Sequence, residues 1–461
     1  MPEDRSRSRV NLNGEWERHI GGKLYDLVTV PSSRHPTGLY SLRRNFLLPR
    51  IASGERAYVH FEGITYFGRV AVNGVELGTM GPYVPYEFEF SSQAQEGRNQ
   101  IEVGITDLAP GPDGAGKDEL ALGVNPGWEA YGGIIRDVWV ELRPSAFIEN
   151  VRLGYELSGD YSRVECRARV YVSSREGGSG EVEVVLQQGA VEVARGEKTA
   201  ALHAGANEVE VVFRLNDPAL WSPESPQLYE LRAGLKRRGG EDGWGSRTGF
   251  REVKTAGREF RLNGQRLVLK GVCRHDMWKG QGFTLTRAQQ EQDMRMIKGL
   301  GCNFVRLVHY PHDRHIVELA DEVGLLVSEE PGYWGMDFQT MARSEIELGY
   351  RILEKTIQRD WNSPAVFAWL LSNECRLTVE VLKEGKERCN KLDPIHRLVS
   401  AANSMSDEKA KPIFEQSGMD FFDQHPYTFD VDNFNREAAF DGPGKPLTFT
   451  EWGGKAIGQS Q

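Results

Sequence analysis

From Gly257 onward the chain repeats one unit: a short apolar, β-branched or aromatic run ending in polar residues, followed by a stretch of helical composition. The runs stand at 266–275, 303–310, 325–331, 365–374, 397–403, 420–427 and 446–453. Between them lie segments such as TRAQQEQDMRMIKGLG and EIELGYRILEKTIQRDW. Strands that alternate with helices imply parallel pairing, because a parallel partner is reached only through a crossover. Seven strands and six intervening helices predict a (β/α)₈ TIM barrel (256–461) short of its eighth strand, since a closed barrel has eight of each. Unpaired edges on the first and seventh strands would leave backbone groups unsatisfied. The expectation is therefore a truncated product that is poorly stable or weakly active alone.

The first 255 residues show a different texture. AYVHFEGI (57–64), FGRVAVNGVEL (67–77), YEFEF (86–90), NQIEVGITD (99–107) and IIRDVWVELRP (134–144) read as strands. Asn73-Gly74 between two such runs is a hairpin signal, because both residues tolerate the positive φ of a tight turn. These predict a β-sandwich over 1–144. FIENVRLGYEL, SRVECRARVYVSS, GEVEVVLQQ, NEVEVVFRL and LYELRAGLKR predict an immunoglobulin-like sandwich over 145–255, with REGGSG (175–180) as a hairpin turn.

Composition narrows the function classes. A net charge of −10 disfavours nucleic acid as partner. No run of about 18 apolar residues suggests a membrane span, and the N-terminal MPEDRSRSRVNLNGEWER lacks the apolar core of a secretory signal. Cysteines 166, 273, 302, 375 and 389 form no CxxC pair, so neither a disulfide framework nor a zinc site is indicated. Reduced thiols and the absent signal predict a cytoplasmic protein. GPDGAGKD (111–118) nearly fits a phosphate-binding loop, but Asp118 stands where the magnesium-binding hydroxyl belongs and no helix follows. It reads as an inter-strand loop.

In a barrel, chemistry gathers at the C-terminal ends of the strands. Those ends carry Arg274-His275-Asp276, then Arg306, His309 and Tyr310, then Glu329-Glu330 with Tyr333 and Trp334. Asn373-Glu374 follow on the fourth strand, Gln424, His425 and Tyr427 on the sixth, and Glu451-Trp452 on the seventh. Aromatic faces and charged hydrogen-bond partners suit a sugar. Carboxylates from the fourth and seventh strands face each other across the mouth, so one can protonate a glycosidic oxygen while the other attacks the anomeric carbon. Asn373 is placed to bind the sugar 2-hydroxyl. A non-catalytic carbohydrate-binding protein, which needs no such pair, and an endo-acting or transglycosylating enzyme on the same barrel are the alternatives.

NFVRLVHYPH (303–312), ADEVGLLVSEEP (320–331), RDWNSPAVFAWLLSNE (359–374) and FTEWGG (449–454) resemble glycoside hydrolase family 2, which includes β-galactosidases, β-glucuronidases and β-mannosidases. VPSSRHPTGLYSLRRNFLLP (30–49), ITYFGRVAVNGVELG (64–78) and YGGIIRDVWVEL (131–142) resemble that family's jelly-roll-like sugar-binding sandwich. LWSPESPQLYEL (220–231) and GFREV (249–253) resemble its immunoglobulin-like domain. The resemblance implies a retaining exo-β-glycosidase acting on β-galactosides or β-glucuronides, with no cofactor because both catalytic groups come from the protein; some members use bound cations, and nothing in this sequence marks a metal site. Glu374 would be the general acid/base and Glu451 the nucleophile. Asn373 would contact the 2-hydroxyl and His309 would line the sugar subsite. Arg306 would order the carboxylates from below, Tyr427 would hydrogen-bond the nucleophile, and His275, Trp334 and Trp452 would stand at the pocket wall and rim. The Glu374 carboxyl is expected to be raised by burial near a negative partner. The family also implies a homo-oligomer as an available assembly. Where many members place an aspartate from the first sandwich into the sugar site, this chain has Asn125-Pro126-Gly127-Trp128-Glu129, so Trp128 or Glu129 would have to substitute. The residues that select a uronic acid lie beyond the seventh strand.

Overall fold

Strands 266–275 and 365–374 look alike in sequence, yet only the second is continuous. In the computed structural model, which describes residues 7–33, 38–107, 131–238, 240–405, 407–427 and 444–452, the first divides in two. Gln265–Leu267 closes a small antiparallel sheet with Val253–Ala256 and Glu259–Leu262. The parallel sheet begins only at β1, Gly271–Arg274. The Asn303 side chain brackets the break, accepting from Lys270 N at 2.8 Å and donating to Val268 O at 2.9 Å.

After β1 the order is α1 (Arg287–Gly299), β2 (Phe304–Leu307), α2 (Arg314–Val323), β3 (Leu326–Glu329), α3 (Arg343–Asp360) and β4 (Val366–Asn373). Then come α4 (Val379–Leu392), β5 (Leu398–Asn403), α5 (Asp407–Ser417), β6 (Phe422–Gln424) and β7 (Leu447–Thr448). The seven strands pair in sequence order and all in parallel. The helix expected between β6 and β7 lies outside the described residues. Every residue of β4 is buried, as a strand covered by helices on one face and barrel interior on the other must be. Local signals set the helix limits: Thr286 and Gln289 form a capping box on α1, and α2 runs from an Asp313 cap to Gly324 in the left-handed region at φ 75°.

Ahead of the barrel stand two all-antiparallel sandwiches. The first faces a six-stranded sheet (Lys23–Val30, Gly14–Ile20, Leu39–Leu48, Gly97–Thr106, Phe67–Val72, Val75–Met80) against a four-stranded one (Ser8–Asn11, Val138–Arg143, Arg56–Phe61, Tyr86–Glu89). Asn73 and Gly74 turn the expected hairpin with φ of 50° and 81°. The second pairs Ala146–Leu157, Arg163–Ser174 and Gly205–Asn216 in one sheet. Its other sheet holds Val191–Leu202, Gly178–Gln188, Tyr229–Arg237 and Gly240–Thr248. REGGSG is therefore not a hairpin turn. The strands on its two sides belong to opposite sheets, and the glycine-rich segment carries the chain across the sandwich.

Buried groups join the sandwiches to the barrel. The indole of Trp221 donates to Asp321 O at 2.9 Å, and the Trp361 indole to Val151 O at 3.0 Å. Arg251 bonds the carbonyls of Pro364 and Val366 at the start of β4. The GPDGAGKD loop, Trp128 and Glu129 lie outside the described residues.

Candidate active site

Arg306, at the middle of β2, organises the carboxyl end of the barrel. Its side chain is 0% exposed, and a guanidinium that leaves water completely must be paired on every side. Nε donates to Glu330 at 2.7 Å, Nη1 to Glu451 at 3.0 Å and Nη2 to Asn373 Oδ1 at 2.5 Å. Burial disfavours its charge, but Glu330 and the surrounding carboxylates outweigh that and hold it firmly protonated. One side chain thus ties together the ends of β2, β3, β4 and β7.

Glu374 leaves β4 with φ of 51°, a left-handed conformation costing about 1 kcal/mol for a residue with a Cβ. The turn is held from both sides. Glu374 N donates to Ala402 O at 3.0 Å, while Asn373 N donates to Tyr333 O at 2.7 Å and Gly335 N donates to Asn373 O at 2.9 Å. The loop after β3 thereby adds a short bridge at Trp334, whose half-buried residue stands beside Asn373.

The Tyr427 hydroxyl lies 2.5 Å from Glu374 Oε1 and 2.7 Å from Glu451 Oε1. The two carboxylates consequently stand no farther apart than two hydrogen-bond lengths. Arg306 Nη1 also donates to His425 Nε2 at 3.2 Å. Arginine has no acceptor, so Nε2 must accept, which leaves Nδ1–H to donate to Glu374 Oε1 at 2.9 Å. Thr450 donates to Asp423 at 2.5 Å and fixes the segment that presents Glu451.

The electrostatics of Glu374 run opposite to the sequence expectation. Burial pushes its carboxyl up, but hydrogen bonds from His425 and Tyr427, with the charge of Arg306 behind them, bring it below the ordinary glutamate value. Glu330 behaves similarly: burial raises it, while Arg306 and His309 pull it down to about 2. His309 Nδ1 lies 3.2 Å from Glu330. His275 packs edge-on against His309 with ring centroids 5.5 Å apart, and burial together with that neighbour lowers it to about 4. Trp452 follows Glu451 and is exposed.

Glu374, Glu451, Asn373, Arg306 and Tyr427 therefore form one hydrogen-bonded cluster; His309 joins it through Glu330, and His275 through His309. Sequence reasoning placed His425 and Glu330 at the strand ends without giving either a role. Neighbouring residues of an extended segment point to opposite sides, which parts Glu329 from Glu330. Glu330 turns toward Arg306, while Glu329 turns away to Arg359 at 2.9 Å. Among the described residues no three His, Cys, Asp or Glu side chains gather to hold a metal, and no helix is long and apolar enough to cross a membrane.

Comparison with known proteins adds the decisive observation. The family model described as "Glycosyl hydrolases family 2, TIM barrel domain" matches residues 253–460, and "Glycosyl hydrolases family 2" matches 146–251. The chain belongs to glycosyl hydrolase family 2. Among its relatives, a putative beta-glucuronidase of Formosa agariphila is 28% identical over 399 residues, covering 80% of this chain and 46% of the relative. A beta-galactosidase of Thermoanaerobacterium thermosulfurigenes is 27% identical over 403 residues, covering 85% of this chain and 52% of its own length. This family 2 chain thus spans about half the length of the curated relatives it matches. Among solved structures, a family 2 beta-galacturonidase from Eisenbergiella tayi superposes with a TM-score of 0.84 at 26% identity, covering 100% of this chain and 83% of that one. A putative beta-galactosidase from Bacteroides fragilis gives 0.86 at 21% identity, covering 99% and 74%.

Proposed function

We propose that this family 2 protein is a retaining exo-β-glycosidase that removes terminal β-linked sugars by double displacement. The observation that carries the reading is the shared hydroxyl of Tyr427, which brings Glu374 and Glu451 within two hydrogen-bond lengths. Retaining enzymes hold their carboxyl groups about 5–5.5 Å apart, whereas inverting ones leave room for a water between them.

In the first step a Glu451 oxygen bonds to the anomeric carbon as the bond to the leaving oxygen breaks, and Glu374 gives that oxygen a proton. In the second, Glu374 takes a proton from water, the water oxygen bonds to the anomeric carbon, and the bond to Glu451 breaks. Arg306 Nη1, donating to Glu451 at 3.0 Å, aims it. Asn373 Nδ2 is buried and has no hydrogen-bond partner among the described residues. Such a donor costs about 1–3 kcal/mol until something accepts from it, and the sugar 2-hydroxyl fits. His309, His275 and Trp334 form the wall of the sugar subsite, with Trp452 at its rim. A chain with five unpaired cysteines accords with a cytoplasmic location.

The relatives' names make β-galactosides, β-glucuronides and β-galacturonides the substrates to assay. Glu374→Ala should lower kcat on an aryl β-glycoside by roughly 10²–10⁴-fold, and azide should restore turnover as the β-glycosyl azide. With Glu451→Ala, azide should give the α-azide. Inverted product from the unaltered protein, or no rescue of either variant, overturns the reading.

A further inference from the structure

Behind the histidines of the sugar subsite, a residue from the first sandwich reaches into the barrel. Arg136 follows the short strand Gly133–Ile134, and its side chain is 4% exposed. Nη2 donates to Pro311 O at 2.8 Å and lies 3.4 Å from Asp276 Oδ2, while Nη1 donates to Tyr83 O in its own domain. Asp276 is the chain neighbour of His275, and Pro311 stands two residues after His309. A single guanidinium from another domain therefore grips both loops that carry the paired histidines.

The partners of Arg136 extend the grip. Asp276 accepts Arg274 Nη1 at 3.0 Å and caps the next loop through Asp313 N at 3.0 Å. Tyr83, positioned by its carbonyl bond to Arg136, stacks on Tyr310 with centroids 4.9 Å apart and planes 21° apart. The Tyr310 hydroxyl lies 3.4 Å from His275 Nδ1. His275 is thus approached through its chain neighbour on one side and through a stacked tyrosine pair on the other, and both approaches start at Arg136.

We propose that Arg136 is a positioning residue through which the first sandwich sets the placement of His275 and His309 in the sugar subsite. The proposal rests on the glycosidase reading for its kinetic consequence but not for its structural one. A buried, multiply bonded arginine at a domain junction also has a bland role, holding the two domains together. The geometry favours more than that, because its barrel acceptors are confined to the two histidine-bearing loops.

The test uses the full chain with Arg136→Met, Arg136→Lys and, as a control, Arg18→Met, which removes a part-buried ion pair to Asp26 in the same sandwich. The first readout needs no substrate: NMR titration of the His275 ring. In the unaltered protein burial, then His309 and the charges of Arg306 and Arg274, hold it down to about 4 against the opposing pull of Glu330. Released from its clamp and hydrated, it should move toward 6.5 in Arg136→Met and part of the way in Arg136→Lys, which keeps the charge but not the fork. Arg18→Met should lower the melting temperature without moving His275. The second readout is kcat/KM on aryl glycosides, expected to fall on the order of 10²-fold in Arg136→Met. That loss should be equal across leaving groups, because the sugar and not the departing oxygen is misplaced. If Arg136→Met fails to fold, Arg136→Lys decides the matter by the same two measurements. An unmoved His275 in a folded Arg136 variant overturns the proposal, as does an unchanged kcat/KM in an active protein. Absence of turnover in the unaltered protein would sink the glycosidase reading alone, leaving the titration to judge the clamp.

Discussion

Tyr427 is half exposed, yet its hydroxyl touches both carboxylates. Removing it makes a prediction whose sign follows from the direction at Glu374. That carboxyl sits below its ordinary value partly because Tyr427 donates to the charged form. A general acid works protonated, so kcat/KM should fall as pH rises through the free-enzyme value, placing the alkaline limb in the acid range. Tyr427→Phe withdraws one donor from the carboxylate. The limb should move upward, by about one pH unit for a charge-assisted hydrogen bond of about 1.5 kcal/mol, and a pH–rate profile measures it. A limb that stays put would separate Tyr427 from the ionisation of Glu374. At this scale the sequence was informative about identity and poor about geometry. Residues ending apolar runs marked the strand termini, so Glu374, Asn373, Arg306 and Tyr427 were legible. His425 was not separable from Gln424, nor Glu330 from Glu329, because which neighbour turns inward depends on twist and bulges that the pattern does not encode. The sign at Glu374 was missed for the same reason. Burial alone was foreseeable from the apolar run, whereas its two donors come from a segment 51–53 residues away.

Among the elements, α3 tests how tightly the barrel's outer layer supports its mouth. Gly349 faces Tyr333, and a Cβ there would come within 2.1 Å of the ring. In an exposed helix Gly→Ala stabilises by about 1 kcal/mol. Here the ring is buried and bonded through its hydroxyl to Ile346 O, so it has nowhere to retreat. Overpacking of about 1–3 kcal/mol should win. Gly349→Ala is expected to lower the denaturation midpoint and also kcat, because Tyr333 O holds the Asn373 amide. A more stable, fully active variant would show that α3 shifts freely. Helices and strands of the barrel were legible because their periodicities differ and each unit punctuates itself with Gly, Pro or a cap. The split of the first strand and the crossing at REGGSG were not. A glycine-rich turn has the same composition whether it joins neighbours in one sheet or bridges two, and the choice is made by partners distant in sequence.

Across the whole molecule, three cores are fastened by a few buried side chains. Trp221 belongs to the connection between Gly205–Asn216 and Tyr229–Arg237 of the second sandwich but packs in the barrel's core, with its indole bonded to Asp321 O. Trp221→Ala should cost about 3–5 kcal/mol and, in calorimetry, separate the melting of the 146–248 sandwich from that of the barrel. A single transition merely shifted downward would mean that the other bridges suffice. The sheet order has a further consequence. β4 has a paired neighbour on each side, so Glu374 shares the opening free energy of the barrel's centre. β7 pairs with β6, and the segment after it is joined to β1 by the Cys273 thiol, which donates to Thr450 O at 3.1 Å. Glu374 is thus fixed by backbone on both flanks, whereas Glu451 owes its place in part to side chains, Arg306 Nη1 at 3.0 Å and the Tyr427 hydroxyl at 2.7 Å.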